Sequence, residues 1–174
     1  MLRVGAVGAV SFPTVSHPSL GQPPPSLQAG FPAAAARLRA DRARLAARAL
    51  EIAADADPTL TVRHDEPGLR NLQRDAEVFV DRLALCVAGD DPHWLRDFAD
   101  QSVVVFRRRG VQMDDVEALC EGIRSGARGV LSDDEMAPAT RALDEAVAVL
   151  SWHRRISGDG HKRNRLSETL YRGI

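Results

Sequence analysis

At 174 residues the chain is long enough for one domain with its own core, and 44% hydrophobic with 27% charged residues is the composition of a globular protein. Its 23 basic and 24 acidic residues leave a formal net charge of -1, which excludes a global electrostatic drive towards nucleic acid or an anionic membrane, so neither is expected as a partner. Cys86 and Cys120 lie inside apolar helical patterns without metal-ligand spacing, and read as reduced, buried thiols of a cytoplasmic protein.

The apolar start, Met1 to Val10, is far short of the roughly 20 residues a spanning helix needs, and the stretch after it lacks a convincing signal-cleavage pattern. Residues 1–31 hold Pro13, Pro18, Pro23, Pro24 and Pro25 among serines and glycines and are expected to form a disordered, flexible arm. From Pro32 the pattern becomes helical. Leu38, Leu45, Ala49, Ile52 and Ala53 share one face, with Arg37, Arg44, Arg48 and Glu51 on another, which predicts one long amphipathic helix ending before Pro58. No aromatic residues interleave with those arginines to stack on bases, so the basic stripe reads as a solvated face. A polar connection with Pro58 and Pro67 runs from Asp57 to Gly68.

Four helices are expected after it. The first spans about Leu69 to Ala88, burying Leu72, Ala76, Phe79, Val80, Leu83 and Val87, and stops at Gly89. Asp91 as N-cap and Pro92 as first residue open the second, whose inner stripe is read as Trp94, Leu95, Phe98, Ser102, Val105 and Phe106, up to Gly110. The third starts at Asp114 and Asp115 and buries Val116, Leu119, Cys120, Ile123, Ala127 and Val130. Its Gly122, Gly126 and Gly129 imply that something packs closely there. Ser132 to Glu135 form a capping box for the fourth, which continues through Met136, Leu143, Val147 and Leu150 to about Ile156. The result is an all-α domain over residues 32–156, with a basic tail over 157–174 that reads as frayed and solvated, the alternative being a docking peptide with a short amphipathic segment around Leu166, Leu170 and Tyr171.

Catalytic constellations are not recognisable. The five histidines are scattered without metal-ligand spacing, and there is neither a phosphate-binding glycine loop nor a nucleophile elbow, so no catalytic or metal site is expected. Asp75 stands out, because three residues after Leu72 and four before Phe79 it falls at the edge of an apolar stripe, where a carboxylate needs a partner. An ordinary partner would be Arg82 or Arg70. A more specific one would be a ligand with several N–H groups and a delocalised positive charge, as protonated linear tetrapyrroles have. Phe79, Trp94, Phe98 and Phe106, on this helix and the next, could line such a flat ligand, and they could equally be core.

Several stretches carry a family resemblance. Ala88-Gly89-Asp90, Phe106-Arg-Arg-Arg-Gly110, Val116, Leu131-Ser132, Asp144 and Ser151 follow phycobiliprotein subunits in register from Ala88 to Ser151. Leu38 to Pro58 resembles an earlier helix of that family more weakly, so that the likeness covers about two thirds of the chain. It implies a globin-like fold of about five to seven helices and a ligand held between the helix of Arg74-Asp75 and the helix from Trp94 to Phe106. In the family a Cys-x-Arg-Asp motif holds a bilin, with the cysteine forming the thioether, the arginine meeting a propionate and the aspartate bridging the pyrrole nitrogens. Arg74 and Asp75 match the last two positions, and Leu72 stands where the cysteine would be. Phe106 falls where a family tyrosine often lies near the pigment.

The interval from Arg74 to Gly89 is one residue shorter than in the family, so an ungapped alignment would place Asn71, Gln73 and Arg74 on the motif instead. The Arg-Asp match is preferred because it keeps an acid, Glu77, two residues after Asp75; neither alignment supplies a cysteine. Cys86 lies 11 residues beyond Asp75, about 16 Å along a helix, and is no substitute. In this the chain resembles the bilin biosynthesis-associated globins, which lack the chromophore cysteine. The resemblance implies noncovalent binding of biliverdin or phycocyanobilin by Asp75, Arg74, Arg70, Leu72, Phe79, Trp94 and Phe106, in a carrier, protector or sensor. Bilin-biosynthesis enzymes and a second copy in a homodimer are its implied partners. The rival reading is a bilin-free helical regulatory or interaction domain. A haem globin is the weakest alternative, since the second helix has only His93, at its start.

Overall fold

A computed structural model describes residues 30–157; the expected arm up to residue 29 and the tail from 158, with Leu166, Leu170 and Tyr171, lie outside the described residues. The described residues fold as seven helices without a strand: α1 (Pro32–Ala40), α2 (Arg42–Ala56), α3 (Leu60–Arg63), α4 (Glu66–Gly89), α5 (His93–Arg108), α6 (Met113–Ala127) and α7 (Asp133–Ser157). The all-α expectation holds, and this arrangement is consistent with a globin-like one.

The expected single helix from Pro32 to Pro58 is two helices that break at Asp41. Its backbone leaves the helical region (φ -94°, ψ 6°) although Asp41 N–H still donates to the Arg37 carbonyl (3.0 Å) and Leu45 N–H to the Asp41 carbonyl (2.9 Å). The bend follows from packing, because α1 lies on α4 while α2 runs over both α4 and α6. The expected loop from Asp57 to Gly68 also contains structure. Leu60, fully buried, anchors α3, and α4 starts three residues before Leu69, with Asp65 accepting from the Gly68 amide at 2.9 Å. Pro67 therefore belongs to the first turn of α4, where its missing N–H costs nothing.

α4 is the central helix, touching α1, α2, α5, α6 and α7. It ends on Asp90, which adopts the left-handed conformation (φ 51°), and the last carbonyls of the helix find donors in the Gly30 and Phe31 amides: Gly30 to Ala88 at 3.1 Å and Phe31 to Val87 at 2.8 Å. A Cβ on residue 30 would lie 2.3 Å from the Val87 carbonyl oxygen, so only glycine fits this approach.

α5 corrects the expected inner stripe. Leu95, Ala99, Val103 and Phe106 are buried, whereas Trp94 is 46% exposed and Val105 is also exposed. The helix carries two apolar lines, and it turns the one containing the small Ala99 and Val103 inward because it must pack on α7 as well as α4. The start also shifts by one residue: the helix begins at His93, whose N–H donates to the Asp91 carboxylate at 3.0 Å. α6 crosses α2 at Gly122, where a Cβ would meet the Ala49 Cα and carbonyl oxygen at 2.6 Å each, as its glycines implied. Val130 lies beyond the end of α6 and is only partly buried. The capping interaction before α7 is present, with Glu135 accepting from the Ser132 N–H at 2.9 Å.

Candidate functional site

Steps of three, four and three residues put Leu72, Asp75, Phe79 and Arg82 along one line of α4. α5 lies against this line and runs in the opposite direction. Phe79 meets Phe98 edge-on (centroids 5.2 Å, 77°) and stacks with Phe106 (6.4 Å, 24°). One turn before Phe79 on α4 must then face one turn after Phe106 on α5, and the residue found there is Arg109. Its N–H bonds to the Val105 and Phe106 carbonyls at 3.1 Å seat it on the last turn of α5, and Gly110 (φ 70°) turns the chain away behind it. Arg109 Nη1 lies 3.0 Å from Asp75 Oδ1 and Nη2 lies 2.8 Å from Oδ2. Side-chain exposures of 22% for Asp75 and 31% for Arg109 place this ion pair at the edge of the core, sheltered from bulk solvent; its one hydrogen bond runs from Nη1 to Oδ1, and Oδ2 is buried without one.

The partners expected for Asp75 are engaged elsewhere. Arg82 places its guanidinium 5.4 Å from the centre of the Phe98 ring, and Arg70 pairs with Glu66 on its own helix. Arg109 escaped sequence reasoning because Arg107, Arg108 and Arg109 are indistinguishable by composition. The signal was the three-residue step from Phe106, which carries meaning only once α5 is known to run antiparallel to α4.

The structure thus brings together Asp75, Phe79 and Phe106, with Leu72 fully buried one turn earlier on α4. It does not bring Arg74, Arg70 or Trp94 into that group. Arg74 is exposed, its Nη1 3.5 Å from the Asn71 side-chain oxygen. Trp94 lies 12 residues before Phe106, about 18 Å along α5, edge-on to the His93 ring. Cys86 is no anchor for a ligand: it is fully buried, and burial pushes its thiol up to about 12, so it stays protonated and unreactive at neutral pH. Burial raises Cys120 as well.

Residues that carry the family likeness tie helices together. Asp90 pairs with Arg141, Asp144 accepts from Arg124 at 2.7 Å, and the Ser151 hydroxyl donates to Glu117 at 2.9 Å. A second charged cluster joins α3 to α6. Asp115, 1% exposed, is bound by Arg63 Nη2 at 2.5 Å and His64 Nε2 at 2.8 Å, while Arg63 also reaches Asp57 at 2.9 Å. Asp115 lies in the first turn of α6, and its partners come from α3 and the residue that ends it, more than 50 residues earlier in the sequence. Among the described residues no cluster of His, Cys, Asp and Glu could hold a metal ion, and no helix is long and apolar enough to cross a membrane.

Neither the family models nor the curated proteins searched contain a match to this chain. Three phenylalanine rings close the α4–α5 seam, and at its end a carboxylate accepts one hydrogen bond from a planar, delocalised cation while its second oxygen is buried without a hydrogen bond.

Proposed function

We propose that the chain binds a linear tetrapyrrole noncovalently at the edge of the α4–α5 seam, as a non-catalytic bilin carrier, protector or sensor related to the phycobiliproteins and acting in the cytoplasm. The observation that supports this reading is the Asp75–Arg109 pair beside Phe79, Phe98 and Phe106. A protonated bilin offers Asp75 what Arg109 offers it, N–H donors on a flat delocalised cation, and it brings a π-surface suited to the neighbouring rings. Arg74, exposed on α4 one residue before Asp75, would meet a propionate, and Leu72, buried one turn earlier, would line the opened site without a thioether. Biliverdin or phycocyanobilin is the expected pigment, and enzymes that make or modify bilins are the expected partners.

The test is colour. The protein is produced together with biliverdin or phycocyanobilin, and its visible spectrum is recorded before and after denaturation in acidic urea. A red-shifted band that travels with the native chain and separates from it on denaturation is the expected result. Failure to retain either pigment rejects the proposal. Asp75→Ala should broaden the band or shift it to the blue, and an unchanged spectrum would favour the alignment that places Asn71, Gln73 and Arg74 on the motif.

One observation favours the bilin-free reading, a helical regulatory or interaction domain. With Phe79 and Phe106 stacked and Leu72 fully buried, the seam is already filled by the chain's own side chains, and a pigment has to displace Arg109 and open the rim.

A further inference from the structure

Six large hydrophobic residues are exposed among the described residues, and five of them surround the outer face of α5: Val78, Trp94, Val104, Val105 and Ile156. Trp94, Val104 and Val105 lie on that face themselves. Val78 sits on α4 between Asp75 and Arg82, the two residues that reach α5 through Arg109 and Phe98. Ile156 lies one turn beyond His153, whose ring nitrogen meets Asp100 of α5 at 2.7 Å and whose carbonyl accepts from Arg107. Scattered single apolar residues on a surface need no account, but a cluster on one helix and its two flanks does.

The order of residues along this face points to the occupant. Positions 94, 97, 101, 104, 105 and 108 follow the three-four spacing of a helix seam and read Trp, Asp, Gln, Val, Val, Arg. The sequence is complementary to itself when reversed. If two copies of α5 pair antiparallel about a two-fold axis at Gln101, the amide at the centre meets its own copy, and an amide both donates and accepts. Trp94 at one end then lies against Val105 and the Arg108 guanidinium of the other copy, a contact that suits a cation over an indole. Asp97, which pairs on its own helix with Arg96 and His93 at 3.0 Å each, comes within one turn of Arg108 of the opposite copy, twice. We propose that this face of α5, flanked by Val78 and Ile156, is the contact surface for a second copy of the chain. A helix of 16 residues is about 24 Å long, which puts this face at the small end of specific interfaces and makes the dimer one that dissociates on dilution.

The test is sedimentation velocity on the full chain across a wide concentration range. A reversible dimer is expected, together with a monomeric Val105→Glu variant that keeps the helical circular dichroism of the parent. Gln101→Cys should close a disulfide-linked dimer under mild oxidation because position 101 lies on the axis, whereas Glu51→Cys, exposed on α2, should not; Cys86 and Cys120 are buried and take no part. If Val105→Glu fails to fold, the paired cysteine variants decide alone. A full chain that stays monomeric at every soluble concentration overturns the proposal, as does a dimer that survives Val105→Glu or that leaves Gln101→Cys unlinked.

Discussion

Gly122→Ala isolates the crossing of α2 over α6. In most helix interiors this exchange stabilises, because alanine exceeds glycine by about 1 kcal/mol in helix propensity. Here the added Cβ would sit 2.6 Å from the Ala49 Cα, 2.6 Å from its oxygen and 3.0 Å from its carbonyl carbon. All three are backbone atoms of a packed helix, so relief requires α2 and α6 to separate along their whole contact. Overpacking of a core costs about 1–3 kcal/mol, and with rigid atoms on both sides the upper part of that range applies. Against the propensity gain, a net loss of about 1–2 kcal/mol is expected, measured by urea denaturation followed by far-ultraviolet circular dichroism. Two further glycines in helices calibrate the result. At Gly126 the new Cβ meets only the tip of Leu45 at 3.1 Å, and the change should stay within about 0.5 kcal/mol of the parent. At Gly89 it meets nothing within 4 Å, and a gain of about 0.4–1 kcal/mol is expected. A Gly122→Ala protein as stable as its parent, or a Gly126→Ala protein equally damaged, would show that close approach of these helices is not what the glycine serves.

Arg109→Gln removes the cation from Asp75. The pair is more sheltered than a surface bridge and less so than a core one, so the unliganded protein should lose about 1–2 kcal/mol in the same denaturation assay. If Arg109 and a bilin compete for that carboxylate, the variant should bind biliverdin more tightly in a spectral titration, by up to about tenfold for each 1.4 kcal/mol released; weaker binding would place Arg109 among the groups that hold the pigment. Asp57 is held down at about 2 from an ordinary 3.8, first by the Thr59 hydroxyl and then, against the opposing effect of burial, by Arg63. A lowered folded-state value means that the stabilisation is present above about pH 4 and is lost as pH falls towards 2. Its 39% exposure limits it to under about 1 kcal/mol, so Asp57→Asn should be slightly less stable than the parent at neutral pH, the gap closing as acid protonates the parent's carboxylate. A gap that is constant with pH would assign the effect to geometry instead of charge.

The helices that could be read from the sequence are those whose apolar spacing admits one inward face. α4 and α6 bury nearly all of the residues their periodicity selects. α5 could not be read this way, because Trp94, Phe98 and Val105 make as good a stripe as Leu95, Ala99 and Val103, and only the packing of α7 chooses between them. Local punctuation was legible in part. Pro67 marks the first turn of a helix as readily as a loop, and the distinction rests on Asp65 capping the Gly68 amide. Asp41 breaks a pattern whose periodicity runs through it undisturbed, since a bend that keeps its hydrogen bonds leaves no trace in spacing. Pairings between distant charges, such as Asp115 with Arg63 and His64, are invisible until the fold brings them together.

Asp75 shows where the two kinds of reasoning meet. Its position at the edge of an apolar stripe required a partner, and that requirement was sound; what spacing could not reveal is that the chain carries its own, Arg109, at the end of the facing helix. The consequence for a bilin is energetic. A pigment that takes over Asp75 must first give up whatever the internal pair contributes, and without a cysteine at position 72 it has no covalent bond to offset that loss. Aromatic contact has to make up the difference, yet Phe79, Phe98 and Phe106 already satisfy one another. On the proposed function, a bilin at this site would be held by the difference between two similar interactions, and Arg109 would return to Asp75 when the pigment leaves. Such a site would load and unload reversibly, which would suit carriage or sensing of a bilin and not permanent attachment as an antenna pigment.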